Sequence, residues 1–215
     1  MKLTPLLFVG ALCVAAPAAF AGPNAELMVK GTIKPAGCTF TLNGGGQFDF
    51  GTITPQQLPQ KWANFFTSSP QQLSITCPQP TRFALRGFDL RESLATGAGY
   101  RAGTIADQSI GHFVLKLPAS SVAADGSKDI YAVGKTPRQT SWRPANWDYI
   151  GPYGAFIWNR NEETRFARQG STDPLPMRSF SADLDAVLRL RGAELLDVGE
   201  DVQIDGAAMI ELVYL

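Results

Sequence analysis

Two carboxylate pairs, one histidine and a group of aromatic side chains are the parts of this chain that could do chemistry. Glu162/Glu163 and Asp183/Asp185 are close enough in sequence to bind calcium or to raise one another's pKa. Asp183 and Asp185 stand two apart in an alternating apolar run, so both leave one face of a strand, and a solvated face is the simpler reading. Glycosidase chemistry needs carboxyls about 5 to 10 Å apart across a cleft, which neighbours on one strand do not supply. His112 is the only histidine; it lies in an apolar run, where a structural imidazole outweighs a catalytic base. No G-x-S-x-G, H-E-x-x-H or phosphate-binding loop occurs. The chain is therefore expected to have no enzymatic activity and to require no metal or cofactor.

The aromatic group is the better candidate for a site. Trp142, Trp147, Tyr149, Tyr153, Phe156 and Trp158 lie among prolines in residues 135–176. Such rings in exposed loops stack on sugar faces, with Asn146, Asp148, Asn159 and Asn161 at hand to bond hydroxyls. The competing reading is that the rings are the loop's own small core, and it carries more weight. On the ligand reading, Trp142, Trp147, Tyr153 and Trp158 would touch a host glycan or protein. Residues 135–176 read as an elaborated insertion, because roughly 40 residues are near the lower limit for an independent core.

Lysine plus arginine number 19, as do aspartate plus glutamate. That balance gives no electrostatic reason to expect nucleic acid or an anionic membrane as partner. Residues 1–21 read as a secretory signal: Lys2, an apolar run over 6–16 too short to span a bilayer, and Ala19-Phe20-Ala21 as an A-x-A cleavage site. Residues 22–215 then form one exported domain. Cys13 leaves with the signal, and Cys38 and Cys77 are expected to pair in an oxidising compartment, with free thiols as the alternative. The bridge would close a loop of 39 residues, worth about 4 kcal/mol in the chain-entropy model.

Short β-type runs separated by glycine and proline position these groups. Residues 27–33, 39–42, 47–53, 73–77, 83–88, 112–117, 130–133 and 155–158 read as strands. Phe180, Ala182, Leu184, Ala186, Leu188 and Leu190 alternate along one long strand. Val202, Ile204, Gly206, Ala208, Ile210, Leu212 and Tyr214 alternate along another, which offers an apolar row to whatever lies beside it. Helical periodicity is nearly absent, so the chain is expected to be an all-β sandwich or barrel.

The order of these motifs resembles the subunits of chaperone–usher fimbriae. Val29-Lys30-Gly31-Thr32-Ile33 before Cys38 resembles the first pilin strand, Phe50-Gly51-Thr52-Ile53 the short strand after it, and Leu73-Ser74-Ile75-Thr76-Cys77 the strand of the second cysteine. The alternating end with penultimate Tyr214 resembles the segment that periplasmic chaperones bind. More narrowly, the sequence is similar to exported pilin-like bacterial proteins of unrecorded function. The resemblance implies a pilin-type, incomplete immunoglobulin-like β-sandwich with an apolar groove beside its last strand. A chaperone strand, and then a neighbouring subunit's N-terminal extension, would fill that groove. It implies a structural or accessory subunit of a surface fimbria with a role in cell adhesion. Its partners would be a periplasmic chaperone, an outer-membrane usher and other subunits, and it would pass through the periplasm to the cell surface. Ala208, Ile210, Leu212 and Tyr214 would form the binding strand. Only five residues precede Leu27 after the cleavage site, so Leu27 and Val29 are the candidate donor positions, and the chain is expected to receive a strand better than it gives one. An adhesin-type module built on Trp142–Trp158 is the alternative.

Overall fold

The computed structural model describes residues 37–58, 64–91, 99–135, 143–144, 154–159, 163–196 and 201–215. The expected first strand at 27–33, with Leu27 and Val29, lies outside them. So do Trp142, Trp147, Tyr149 and Tyr153.

Alternation and turn chemistry set the elements. In chain order these are β1 (Thr39–Leu42), β2 (Asn64–Thr67), β3 (Gln71–Thr81), β4 (Phe83–Asp89) and β5 (Tyr100–Arg101). A tight hairpin of β6 (Thr104–Ile105) and β7 (Gln108–Ser109) follows, turned by Ala106 and Asp107 at positive φ. Next come β8 (Gly111–Pro118), β9 (Ala123–Ala124), β10 (Ile130–Lys135), β11 (Arg143–Pro144) and β12 (Gly154–Ile157). The last are β13 (Glu163–Arg168), β14 (Met177–Leu190) and β15 (Ala208–Tyr214).

The strands form two main sheets, all of whose pairings are antiparallel. One runs β1-β3-β14-β8-β12, with β2, β5 and β9 added at its flanks; the other runs β11-β10-β13-β4-β15. The 14 residues of β14 organise the first sheet. Its first half pairs with β3 and β9 and its second half with β2 and β8. Ser68 fills the gap between β2 and β3: its backbone N–H donates to the Ala186 carbonyl at 2.9 Å, and its Oγ accepts from the Ala186 N–H at 3.0 Å.

The inner faces interdigitate as a sandwich. Leu73, Ile75, Phe180 and Leu184 of the first sheet meet Phe83, Leu85 and Phe166 of the second, all buried. Phe83 packs edge-on against both Phe166 and Phe180, an arrangement that aromatic quadrupoles favour. Each buried side chain of this size contributes about 1.5–3 kcal/mol relative to exposure. Cys38 and Cys77 are joined by a disulfide, which ties the start of β1 to β3.

Two expectations change. Residues 47–53 join no ladder, although 39–42 does as β1. The terminal strand begins at Ala208; residues 201–207 run alongside without joining the ladder. Both segments border the same open groove, so their apolar alternation serves a surface and not a paired strand.

Candidate functional site

The second sheet ends at β15, which among the described residues pairs only with β4. The first sheet ends at β1, which among the described residues pairs only with β3. Among the described residues, no strand bridges these two edges. The end nearest the C-terminus is drawn together: the Cys38 N–H donates to Tyr214 Oη at 2.7 Å. From there the chain after β1 runs down one side of the opening through Phe48 and Phe50, while residues 210–201 border the other side.

Two contiguous cavities occupy the opening. The first, of about 440 Å³, has a floor of core side chains: Phe113 and Leu115 from β8, and Leu184, Ala186 and Leu188 from β14. Ala208 and Ile210 of β15 form one wall, with Phe48 and Phe50 opposite. The second, of about 540 Å³, continues past Phe50 and Ile204 to Ile53, Leu58, Leu190 and Val202, with Asp49, Thr52, Asp201 and Gln203 at its rim. Phe48, Phe50 and Ile204 line both, so the two make one trench. A trench floored by the hydrophobic core and bordered by an unpaired strand edge fits an extended polypeptide, which supplies backbone hydrogen bonds and side chains together.

Register explains which end-strand residues face the trench. Leu212 opposes Leu85, Ile210 opposes Gly87, and Ala208 opposes Asp89. Ala208, Ile210 and Leu212 are thus directed inward and half-buried, whereas Met209 and Glu211 face out. Glu211 lies 3.7 Å from Arg86, which also pairs with Glu163 at 2.7 Å. Burial works against the Glu163 carboxylate, but hydrogen bonds from Arg165 and Arg86 hold its pKa below the usual range. Glu163 is therefore a member of an ion-pair ladder on the outer face of the second sheet, while Glu162 lies outside the described residues.

Tyr100 was not anticipated from the sequence, yet it supports the trench floor. Its buried ring stacks on Phe113 with centroids 5.1 Å apart, and its hydroxyl donates to the Ile157 carbonyl at 2.9 Å. Burial, and then the Asp89 charge, push that hydroxyl's pKa well above the ordinary tyrosine range. A Cβ at Gly87 would lie 1.7 Å from Tyr100 Oη, so glycine is required under this ring. Gly206 is constrained in the same way: a Cβ there would come within 2.5 Å of both the Arg101 carbonyl oxygen and Phe113. The only sequence signal for Gly206 is its place in the alternating row; nothing around Tyr100 announces its role.

The remaining candidates occupy other surfaces. Trp158 is half-buried and packs on Phe156 at 5.1 Å, beside Val114 and Val187. For this one tryptophan, packing is the observed role. Asn159 turns its Oδ1 to accept from the Asp89 N–H at 3.0 Å. His112 pairs in register with Arg189 on β14. Burial, and then the Arg189 charge, lower its pKa. Asp183 and Asp185 share the outer face as expected, but Asp185 is nearly buried. Burial raises its pKa, with Lys116 opposing and Asp183 adding to the rise. Among the described residues no group of three histidine, cysteine or acidic side chains could hold a metal ion.

A family model described as "Protein of unknown function (DUF1120)" matches residues 27–140. The chain belongs to that family. Its relatives include "Uncharacterized protein YhcF" of Escherichia coli (strain K12), 24% identical over 228 residues, covering 93% of this chain and 94% of that protein. "Protein GltF" of the same organism is 28% identical over 143 residues, covering 63% of this chain and 52% of that protein. The matched region takes in β1, β3 and β4 and both disulfide cysteines, while β14 and β15 lie beyond it.

Proposed function

We propose that this protein is a structural or accessory subunit of a surface fimbria, assembled when a strand of another protein fills the trench beside β15. The supporting observation is the trench itself: core residues Leu115, Leu184 and Leu188 form its floor, while β15 presents along one wall an edge with no partner among the described residues. An apolar edge of this kind left open invites aggregation. Occupation by a partner strand removes that hazard and makes the edge useful. The sequence order that resembles fimbrial subunits, with its export signal, supports the same reading. In it a periplasmic chaperone fills the trench first and a neighbouring subunit later, and an outer-membrane usher delivers the protein to the cell surface, where it contributes to adhesion.

The test is removal of residues 210–215, which deletes most of the edge strand. Loss of capture by a fimbrial periplasmic chaperone, with degradation of the truncated protein in the periplasm, is expected. Accumulation of the truncation as a stable, soluble monomer would overturn the proposal.

A further inference from the structure

The trench is chemically asymmetric along its length. Its half beside Ala208 and Ile210 is walled and floored by aliphatic and aromatic side chains. Its other half ends in a polar mouth with two exposed carboxylates, Asp49 and Asp201. Asp49 is held in place there, since its Oδ1 accepts from the Gly51 N–H at 2.8 Å. No lysine, arginine or histidine is among the described residues lining either half. Among the described residues, an occupant therefore meets two carboxylates at one end and a mainly apolar surface, with Gln47, at the other.

We infer that the strand filling this trench belongs to another protein, is apolar at alternate positions, and carries a basic residue at the end that reaches the mouth between Asp49 and Asp201. The inference rests on the trench being a strand-binding site, as proposed above. Alternate apolar side chains follow from the pleat, because every second residue of an extended segment points at the floor. A cation at the mouth is attracted by both carboxylates, and an acidic residue there is repelled by both. The mouth is exposed to water, so the attraction sets the direction and register of the strand more than its affinity, and salt weakens it. The charge thus complements the apolar row: the row fixes which face enters, and the mouth fixes which end lies where.

Peptides test this with the mature protein. Fluorescently labelled peptides of about ten residues share an alternating valine–threonine core, and carry Lys, Gln or Glu at either the first or the last position. In one of the two placements the Lys peptide should bind severalfold tighter than the Gln peptide at low salt, and the Glu peptide more weakly. That advantage should vanish at about 0.5 M NaCl, where the Debye length falls to a few Å, and in D49N/D201N. Both side chains are exposed, so the double variant should melt with the wild type. If Lys and Gln peptides bind equally in both placements, or the Lys advantage survives in D49N/D201N, the inference is overturned. The trench reading then still stands, provided Ile210→Asp abolishes binding. If no peptide binds at all, both readings fall.

Discussion

Tyr214 accepts a hydrogen bond from the backbone N–H of Cys38 at 2.7 Å, joining the penultimate residue of the chain to the first disulfide cysteine. The bond crosses from the edge of one sheet to the edge of the other at the end of the sandwich where the trench closes. Further along the two edges, towards Asp49 and Asp201, no ladder joins them among the described residues. Tyr214→Phe should remove about 0.5–1.5 kcal/mol, the ordinary worth of one hydrogen bond, and the low end is expected because the site is half-exposed. A lower urea midpoint at unchanged slope would register it.

The Cys38–Cys77 bridge anchors the same corner and closes a loop of 39 residues. Replacing both cysteines by alanine should cost about 4 kcal/mol through the entropy regained by the unfolded chain. Denaturant unfolding of the oxidised protein and the double variant measures the difference. An unchanged midpoint would show that the unfolded chain gains no freedom when the bridge is removed.

Gly206 lies close against Arg101 and the Phe113 ring of the trench floor. Gly206→Val would drive a side chain into the Arg101 carbonyl and Phe113, each within 2.5 Å of the Cβ position. Overpacking of this kind costs about 1–3 kcal/mol, and here it should also displace the Phe113 ring from Tyr100. Thermal unfolding measures the first effect and the near-ultraviolet dichroism of the aromatic rings the second.

Asp125 stands at positive φ in the turn before β10 and accepts hydrogen bonds at Oδ1 from the Arg178 and Ser179 N–H groups, at 3.0 and 2.8 Å. The Ser179 backbone bond, more than any other influence, holds its pKa below the usual carboxylate range. A carboxylate with a depressed folded pKa contributes stability that is complete above its unfolded pKa and is lost as pH falls through the folded value. Asp125→Asn keeps a residue tolerant of positive φ. It should therefore lower stability at pH 7 by about 1 kcal/mol or less, since the site is exposed. The two proteins should converge as pH falls through the depressed folded pKa, where Asp125 itself becomes protonated. Urea midpoints across pH 2–7 give the curve.

Much of this fold is legible as alternation. The β14 row from Phe180 to Leu190 and the β15 row from Ala208 to Tyr214 show period 2 because one face of each meets the core. Residues 47–53 show the same period yet pair with nothing among the described residues, since the row at Phe48 and Phe50 faces the trench. Periodicity reports which face is apolar, not which edge is bonded. β13 escapes notice because Glu163 and Arg165 interrupt its apolar pattern: Glu163 pairs with Arg165 on its own strand and with Arg86 on β4, far away in sequence. The trench was legible through its β15 wall; its floor at Phe113, Leu115 and Leu184 was not, because core residues and groove residues share one composition.

Residue-resolved amide hydrogen exchange of the mature protein tests the open edge most directly. In an antiparallel edge strand, amides alternate between the neighbouring strand and empty space. With β4 on one side and the trench on the other, every second amide across 208–214 should exchange far faster than those of β14. The same amides should become protected when a trench-binding strand is added. Uniformly slow exchange throughout 208–214 in the protein alone, unaltered by any added strand, would contradict the open edge and the function built on it.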